Sequence, residues 1–517
     1  MRTFTLPLFA SWLPSSSSPA FFELSPREAE LSLASKQIST GLSVGANIVL
    51  PNSARWPDMV SRGSYPRVSP SYDALIEVAT EEDVQLVVSV AARYDIPFLV
   101  VTGAHGWTKS LNRLQGGIQI NMRKLNSIAL NSNGKTATIG GGTLQWETIR
   151  ALFAKNKIAV TGLCECVSVI GPLLGGGHSY LQSQFGFASD NLVSARIILA
   201  NGTLVEASST ENADLFWALR GAGHNFGVVT SFVVKVYDIP TNDQWTLYSF
   251  IYKGDQLEAL FDQVNELDAP NATRPSRLIT TGVLARVPFL DANPVFIYHV
   301  VIEGTESDLE PWAAPFKALS PISTTLSRDI NYVELYTTTG NNLDSAVCKR
   351  NENILGSGVT LPKWDNAGLR KAYNIFSNMT ADPRFKSSAV LFENYGMNGV
   401  QKIDPRSSAV AVEERMHPVL STPIIWYEGD SEANHATAYT YASKIRDALY
   451  EGVIQANGKR HTYVNYAIGD EPKQEVYGYE DWRWEKLTGL KRTWDPMNRF
   501  RFYNPIVYEE EMNDDGR

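Results

Sequence analysis

Two of the three cysteines in this chain stand one residue apart, at Cys164 and Cys166, in the stretch TGLCECVSVIGPLLGGGHSY, where a glycine triplet and His178 follow. Thiolate sulfur and imidazole nitrogen are nucleophiles and metal ligands, so this spacing asks which of those chemistries it serves. Metal binding does not fit: the cysteine pair has no second paired set, and the seven histidines show neither HExxH nor zinc-finger spacing. Three cysteines cannot build a disulfide framework, and two cysteines one residue apart are poorly placed to bond each other.

Glycine supplies the second signal. Clusters occur at GAHG (103 to 106), GGGT (140 to 143), GPLLGGGHS (171 to 179) and GAGHNFG (221 to 227). Such turns let backbone N–H groups approach an anion without a side chain intervening, and four in succession point to a large phosphorylated cofactor. None reads GxGxxG between a first strand and its helix with an acidic residue beyond, so a nicotinamide-type Rossmann site is excluded. None ends in Gly-Lys-Ser/Thr, so a Walker loop is excluded too.

These turns need elements to hold them. TEEDVQLVVSVAARYDIP from Thr80 carries a capping-box start and Val84, Val87, Val88 and Ala91 at helical spacing, and FLVVT (98 to 102) is a short apolar run that predicts a buried strand entering GAHG. TATIGGGTLQWETIRALFA repeats the theme of strand, glycine turn and helix, and NLVSARIILANGTLVEAS predicts two strands about an Asn-Gly turn. From about Trp245 the pattern changes to long alternating strands, TLYSFIY and FIYHVVIEG, with amphipathic helices between them. The domain expectation is an N-terminal arm over 1–65 with SSSSP at 15 to 19, a cofactor domain over 66–240, and a substrate domain over 241–460. A segment over 461–508 returns to the cofactor domain, and an acidic tail covers 509–517.

Composition narrows the partners. A formal charge of -9, with 55 acidic against 46 basic residues, repels phosphate backbones and anionic membranes. The opening MRTFTLPLFASWLP has one basic residue and an apolar run broken by Pro7 and Pro14, which makes a poor signal peptide, and no stretch is long enough to span a membrane. Asn201, Asn271 and Asn378 begin glycosylation sequons, a number near chance for this length, so the compartment stays open. The expected partners are a small-molecule substrate and dioxygen, with no nucleic acid and no membrane.

Taken in order, FLVVTGAHG, ATIGGGTLQWETI, TGLCECVSVIGPLLGGGHSYLQSQFGFASDNLVSARIILANG and DLFWALRGAGHNFGVVTSF, followed by YVNYAIGD and LKRTWDPMNRFRFYNPI, resemble the berberine-bridge-enzyme-like flavin oxidases. That family belongs to the p-cresol methylhydroxylase and vanillyl-alcohol oxidase superfamily, and the resemblance is to its fungal secondary-metabolite branch. It implies an α+β fold: a p-cresol methylhydroxylase-type FAD-binding domain, and a substrate domain whose antiparallel sheet is backed by helices.

The resemblance also implies a bicovalent FAD. His105 would bond a methyl on the flavin's benzenoid ring and Cys164, in the family's G-x-C-x-x-V motif, the neighbouring ring carbon, leaving Cys166 a bystander. Further cofactor contacts are implied for Gly103, Gly106, Gly140, Gly141, Gly142, Thr143, Val167, Gly171, Gly175, Gly176, Gly177, His178, Asp190, Asn191, Gly227, Val228, Val229 and Asn465. Val167 falls at the family's oxygen-gate position, where a small residue admits dioxygen. Two departures stand out: the turn reads GAH where many members have GGH, and Ser168 stands where glycine is common.

For the substrate half, SSAVLFENYG and STPIIWYEGD are strand-like and offer Glu393, Tyr395, Trp426, Tyr427 and Glu428, of which period-two alternation lets only half face one side. The family's Phe-Pro-His-Arg motif is replaced by EERMHP, so its glutamate base cannot be transferred. By resemblance Asn465 contacts the flavin and Tyr463 points at substrate, with Glu393 and Tyr395 as further catalytic candidates. The implied reaction is hydride transfer from a small, hydrophobic alcohol, amine or activated C–H to FAD, with dioxygen as acceptor, peroxide as product, and cyclisation as a following step. A carbohydrate oxidase, stacking sugar on Trp245, Trp426, Trp482 or Trp484, and a flavin-containing pericyclase are the alternatives.

Overall fold

The computed structural model describes residues 26–240 and 243–507; the opening stretch, SSSSP and the acidic tail lie outside them. The helix Glu81–Arg93 starts as its sequence dictates. The Thr80 hydroxyl accepts from the Asp83 N–H at 3.2 Å and the Asp83 carboxylate accepts from the Thr80 N–H at 3.0 Å. Val84, Val87 and Val88 are fully buried, each a contribution of about 1.5–3 kcal/mol. The helix connects two parallel-sheet strands, Ala74–Glu77 and Phe98–Val101, which flank Ile118–Asn121. Asn47–Val49 extends this sheet antiparallel at the Ala74–Glu77 edge, and Ala34 and Ile38 of the helix Pro26–Gly41 join the same core. From Pro26 on, the region expected as an arm is thus woven into this first sheet and its core.

A second, antiparallel sheet orders its strands Ile128–Leu130, Thr136–Gly140, Val228–Lys235, Leu192–Ile198 and Leu204–Ser208. The last two form the hairpin read from the Asn-Gly turn, with the Leu199 N–H donating to the Thr203 carbonyl at 2.9 Å.

The third sheet runs Ser323–Ile330, Trp245–Tyr252, Val295–Glu303, Leu278–Ala285, Ala389–Asn394, Val419–Trp426 and Ile354–Gly356, with Val359–Leu361 also paired to Val419–Trp426. Its pairings are all antiparallel. One face packs Phe250, Phe296 and Phe392 against helices carrying Phe261, Phe316, Phe376 and Ile445, so an aromatic core backs the sheet. Alternation leaves the opposite face of Ala389–Asn394 and Val419–Trp426, through Leu391, Glu393, Thr422, Ile424 and Trp426, for other work. The C-terminal segment packs back against the first half of the chain: Thr108 donates to Asn504 Oδ1 at 2.7 Å, and Asn225 Oδ1 accepts from the Ile506 N–H at 3.0 Å. Among the described residues no helix is long and apolar enough to cross a membrane.

Candidate active site

A cavity of about 330 Å³ lies where the three sheets and the C-terminal segment meet. The GAHG turn delivers His105 and the TGLCEC loop delivers Cys164 into its wall. Gly103 makes this possible, because a Cβ there would stand 2.9 Å from the Ser168 backbone nitrogen. Ala104, the residue that departs from the family turn, takes φ = 54°, a left-handed conformation that glycine adopts without cost. Ser168, the other departure, accepts the Gly171 N–H on its hydroxyl at 3.3 Å and the Gln145 amide on its carbonyl at 2.9 Å.

His105 is held neutral. Burial, then the nearby Arg350 and Arg62 guanidinium groups, lower its pKa to about 4, and its Nε2 has no hydrogen-bond partner. Burial, reinforced by Glu393, pushes the Cys164 thiol up to about 12, and this is the one free cysteine. Val167 lines the same cavity.

The remaining expected cofactor residues divide into three groups. Gly103, Gly106, Gly141, Gly171, His178, Gly227, Val228, Val229 and Asn465 line the cavity. Gly140, Gly142, Thr143, Gly175, Gly176 and Gly177 stand behind that wall. A Cβ on Gly142 would fall 1.8 Å from the Met122 carbonyl oxygen, so here glycine serves chain packing. Asp190 and Asn191 lie elsewhere. Asp190 forms a buried two-pronged pair with Arg415 at 2.6 and 2.9 Å, while the Asn191 amide donates to the carbonyls of Phe185 and Phe187 and its oxygen accepts from Tyr237.

The two tyrosines of YVNY both line the cavity and their rings meet edge-on with centroids 5.3 Å apart, but their hydroxyls have different partners. Tyr463 Oη accepts from the Gly177 N–H at 3.0 Å and from Asn465 Nδ2 at 2.6 Å, so this phenol is engaged in holding the glycine loop. A turn pairs the Tyr466 N–H with the Tyr463 carbonyl, and the Tyr466 hydroxyl, also at the cavity wall, donates to Glu393 Oε1 at 3.3 Å. Tyr395 donates to the same oxygen, and Glu393 Oε2 is buried without a partner. Burial raises the Glu393 carboxyl, and it raises the Tyr466 phenol far above its ordinary value, with the Glu393 charge adding to the effect. A phenol backed by a carboxylate with spare acceptor capacity can take a substrate proton while passing on its own.

The opposite wall is made of side chains: Leu391, Thr422, Ile424 and Trp426 from the large sheet, with Trp107, Leu163 and Val347 beside them. Tyr427 and Glu428 turn away, the first to His435 and the second to a surface pairing with Lys386. Of the tryptophans considered as sugar platforms only Trp426 reaches the cavity. Trp245 is buried beside Tyr332, Trp482 stacks edge-on with Trp217, and Trp484 with Tyr477.

Sequence reasoning did not reach Tyr466, Trp107 or the cluster built by EERMHP. Glu414 of that segment is buried between His178 Nε2 and His461 Nε2, each 2.7 Å from one carboxylate oxygen. Burial alone would raise Glu414, but the two imidazoles outweigh it and hold the carboxyl down to about 2. His461, lowered by burial, is raised overall by Glu414. The departure from the family motif therefore marks an anchor between the glycine loop, the substrate half and the C-terminal segment.

The residues present fit FAD. A neutral imidazole with an unpartnered nitrogen and a thiol face one cavity, and Arg62, which also lines it, leaves its buried Nε unpaired. Comparison with known proteins agrees. Residues 72–208 match a family model described as FAD binding domain, and residues 462–507 one described as berberine and berberine like. The chain is 35% identical over 515 residues to the FAD-linked oxidoreductase chyH of Penicillium rubens, covering 98% of this chain and 100% of the relative. It is 34% identical over 487 residues to the FAD-linked oxidoreductase chry5 of Gibberella zeae, covering 91% and 94%. Among solved structures, chitooligosaccharide oxidase superposes with a TM-score of 0.77 at 19% identity, covering 92% of this chain and 99% of that one. The 6-hydroxy-D-nicotine oxidase of Arthrobacter nicotinovorans does so with a TM-score of 0.74 at 21% identity, covering 91% and 99%.

Proposed function

Because this chain belongs to the berberine-bridge-enzyme-like FAD-linked oxidoreductases, we propose that it is an oxidase acting on a small, hydrophobic alcohol, amine or activated C–H compound. One observation carries the reading: His105, Cys164 and the Glu393-backed Tyr466 phenol border a single cavity whose far wall is largely apolar. FAD, when bound, supplies a two-electron acceptor, held by His105 and Cys164 and bordered by Asn465 and the glycine turns. For an alcohol the balance is R₂CHOH + O₂ → R₂C=O + H₂O₂, with dioxygen as the terminal acceptor.

The chain's own residues do the proton work. Tyr466 accepts the proton of the substrate O–H or N–H and releases its own to Glu393, whose burial makes it a willing acceptor. Leu391, Ile424 and Trp426 exclude water and orient the apolar body of the substrate. Tyr463 and Asn465 keep the glycine loop in place, and Val167, on the cavity wall, is the small side chain past which dioxygen approaches. Where the oxidised product carries a reactive partner, ring closure can follow without further catalysis.

The test is a visible spectrum before and after acid precipitation, followed by peroxide detection across panels of lipophilic alcohols, amines and oligosaccharides. Yellow protein that retains its flavin in the pellet and releases peroxide with lipophilic substrates is the expected result. Peroxide from oligosaccharides alone would replace the substrate assignment with a sugar. Product formation without peroxide would replace oxidation with pericyclic chemistry.

A further inference from the structure

Residues 339–352 run from the helix Tyr332–Thr338 to the large-sheet strand Ile354–Gly356 and touch both segments that carry the attachment residues. At one end the Asn341 carbonyl accepts from the Glu165 N–H at 3.0 Å, the Leu343 N–H donates to Glu165 Oε2 at 3.1 Å, and the Cys164 thiol lies 3.9 Å from Asn341 Oδ1. Cys348 forms a disulfide with Cys166, joining positions 182 residues apart. At the other end the Arg350 guanidinium donates to the carbonyls of Gly103 at 2.8 Å and Ser61 at 2.9 Å. The Asn351 N–H donates to the Arg62 carbonyl at 2.7 Å, and the Gly63 N–H in turn donates to the Ala104 carbonyl at 3.1 Å, directly beside His105. Between the two ends Val347 reaches the cavity wall.

Cys164 and Cys166 share one turn, closed by the Val167 N–H on the Cys164 carbonyl at 3.1 Å. Cys164 borders the cavity and Cys166 does not, and the bond to Cys348 ties the second sulfur there, so that it cannot turn towards the electrophilic carbon that Cys164 faces. The disulfide also ties the turn to the strap, whose far end grips the His105 turn. Placement of the two attachment residues then no longer depends on surface loops alone.

We propose that residues 339–352 form a disulfide-stapled strap that fixes the His105 turn and the Cys164 loop relative to each other, and that the Cys166–Cys348 bond reserves Cys164 as the only thiol offered to the cofactor. This rests on the FAD reading above. Cys166 and Cys348 are positioning residues, and regiochemistry is what separates that role from mere stabilisation.

The experiment compares wild type, Cys348→Ala and Cys166→Ala/Cys348→Ala, each incubated with FAD, by peptide mapping of flavin attached through sulfur and by the rate of its attachment. Wild type is expected to carry it at Cys164 alone. Cys348→Ala should divide it between Cys164 and Cys166, and the double variant should attach it at Cys164 at least about tenfold more slowly while retaining the His105 bond, since misplacing a reacting group by about 1 Å can cost about 10²-fold. Attachment at Cys164 alone, at the wild-type rate, in both variants would overturn the strap. For variants that do not fold, Arg350→Ala leaves the disulfide intact: slower attachment at His105 supports the strap, and an unchanged rate overturns it. Failure of the parent reading is seen separately, as wild-type protein that takes up no flavin at all.

Discussion

The two walls of the cavity are built from different material. On the cofactor side glycine turns are pressed against backbone: Gly141 at the wall meets the Val229 carbonyl, and Gly142 just behind it meets that of Met122. On the substrate side it is side chains projecting from alternate positions of two strands, Leu391 on one and Thr422, Ile424 and Trp426 on the other. Where a glycine faces backbone, as Gly141 and Gly142 do, substitution is barely tolerated, because a Cβ there collides with a carbonyl that cannot move away. A wall of side chains on a rigid sheet can be rewritten residue by residue while the strands stay paired. One half can therefore keep a cofactor while the other changes its substrate.

The largest expected effect tests the backbone packing behind the glycine turns. Gly142→Ala forces a Cβ to within 1.8 Å of a carbonyl oxygen, and soluble protein is expected to be lost or to lack flavin, read from expression yield and the flavin-to-protein absorbance ratio. Normal yield and flavin content would show that this packing can give way. Next comes the anchor between the walls: Glu414→Ala leaves two buried imidazoles without their carboxylate and should cost about 3–5 kcal/mol, measured by urea unfolding.

The same cluster should write a pH signature. Glu414 is depressed from 4.5 to about 2, so its stabilisation is complete above pH 4.5 and is lost as pH falls through about 2. His461 is raised from 6.5, so its contribution is complete below pH 6.5 and is lost as pH rises through its folded value. The stability gap between wild type and Glu414→Gln should therefore be widest between pH 4.5 and 6.5. A gap independent of pH would remove the charge pairing from the account.

On the substrate wall, Tyr466→Phe should lower kcat by about 10²–10⁴ with flavin content unchanged, as expected for loss of a proton acceptor. Tyr463→Phe should instead loosen the glycine loop and lower flavin content first. Comparable kcat losses in both, with flavin content intact, would undo the division of roles. Trp426→Ala should raise KM by about 10–200-fold with a smaller change in kcat. The smallest effect comes from a glycine outside both walls: nothing lies within 4 Å of a Cβ on Gly489, in the helix Asp481–Trp494, and Gly489→Ala should add about 0.5–1 kcal/mol of stability.

Legibility followed the same division. Glycine turns after short strands are a local signal, so the cofactor half could be read in order from the sequence, and the change to period-two alternation at Trp245 announced the large sheet. What escaped reading depends on contacts across long separations. Nothing near Cys166 names Cys348 as its partner. Tyr463 and Tyr466 look equivalent in YVNY until a turn sends one to Gly177 and the other to Glu393. Asp190 follows a glycine loop and reads as a cofactor contact, but Arg415 from EERMHP claims it. That segment reads as a lost motif because its function lies in what it reaches.

The C-terminal segment carries a consequence for how the protein is made. Asn504 accepts from Thr108, Tyr503 packs on His224, and Ile506 is bound by Asn225, so residues that leave the ribosome late complete walls begin by residues made much earlier. Chains fold roughly as they emerge, at about 5–20 residues per second. The nascent cofactor half must therefore wait, open on one side, through synthesis of the entire substrate half, and premature termination anywhere before this segment would leave an unsealed cavity for quality control to find.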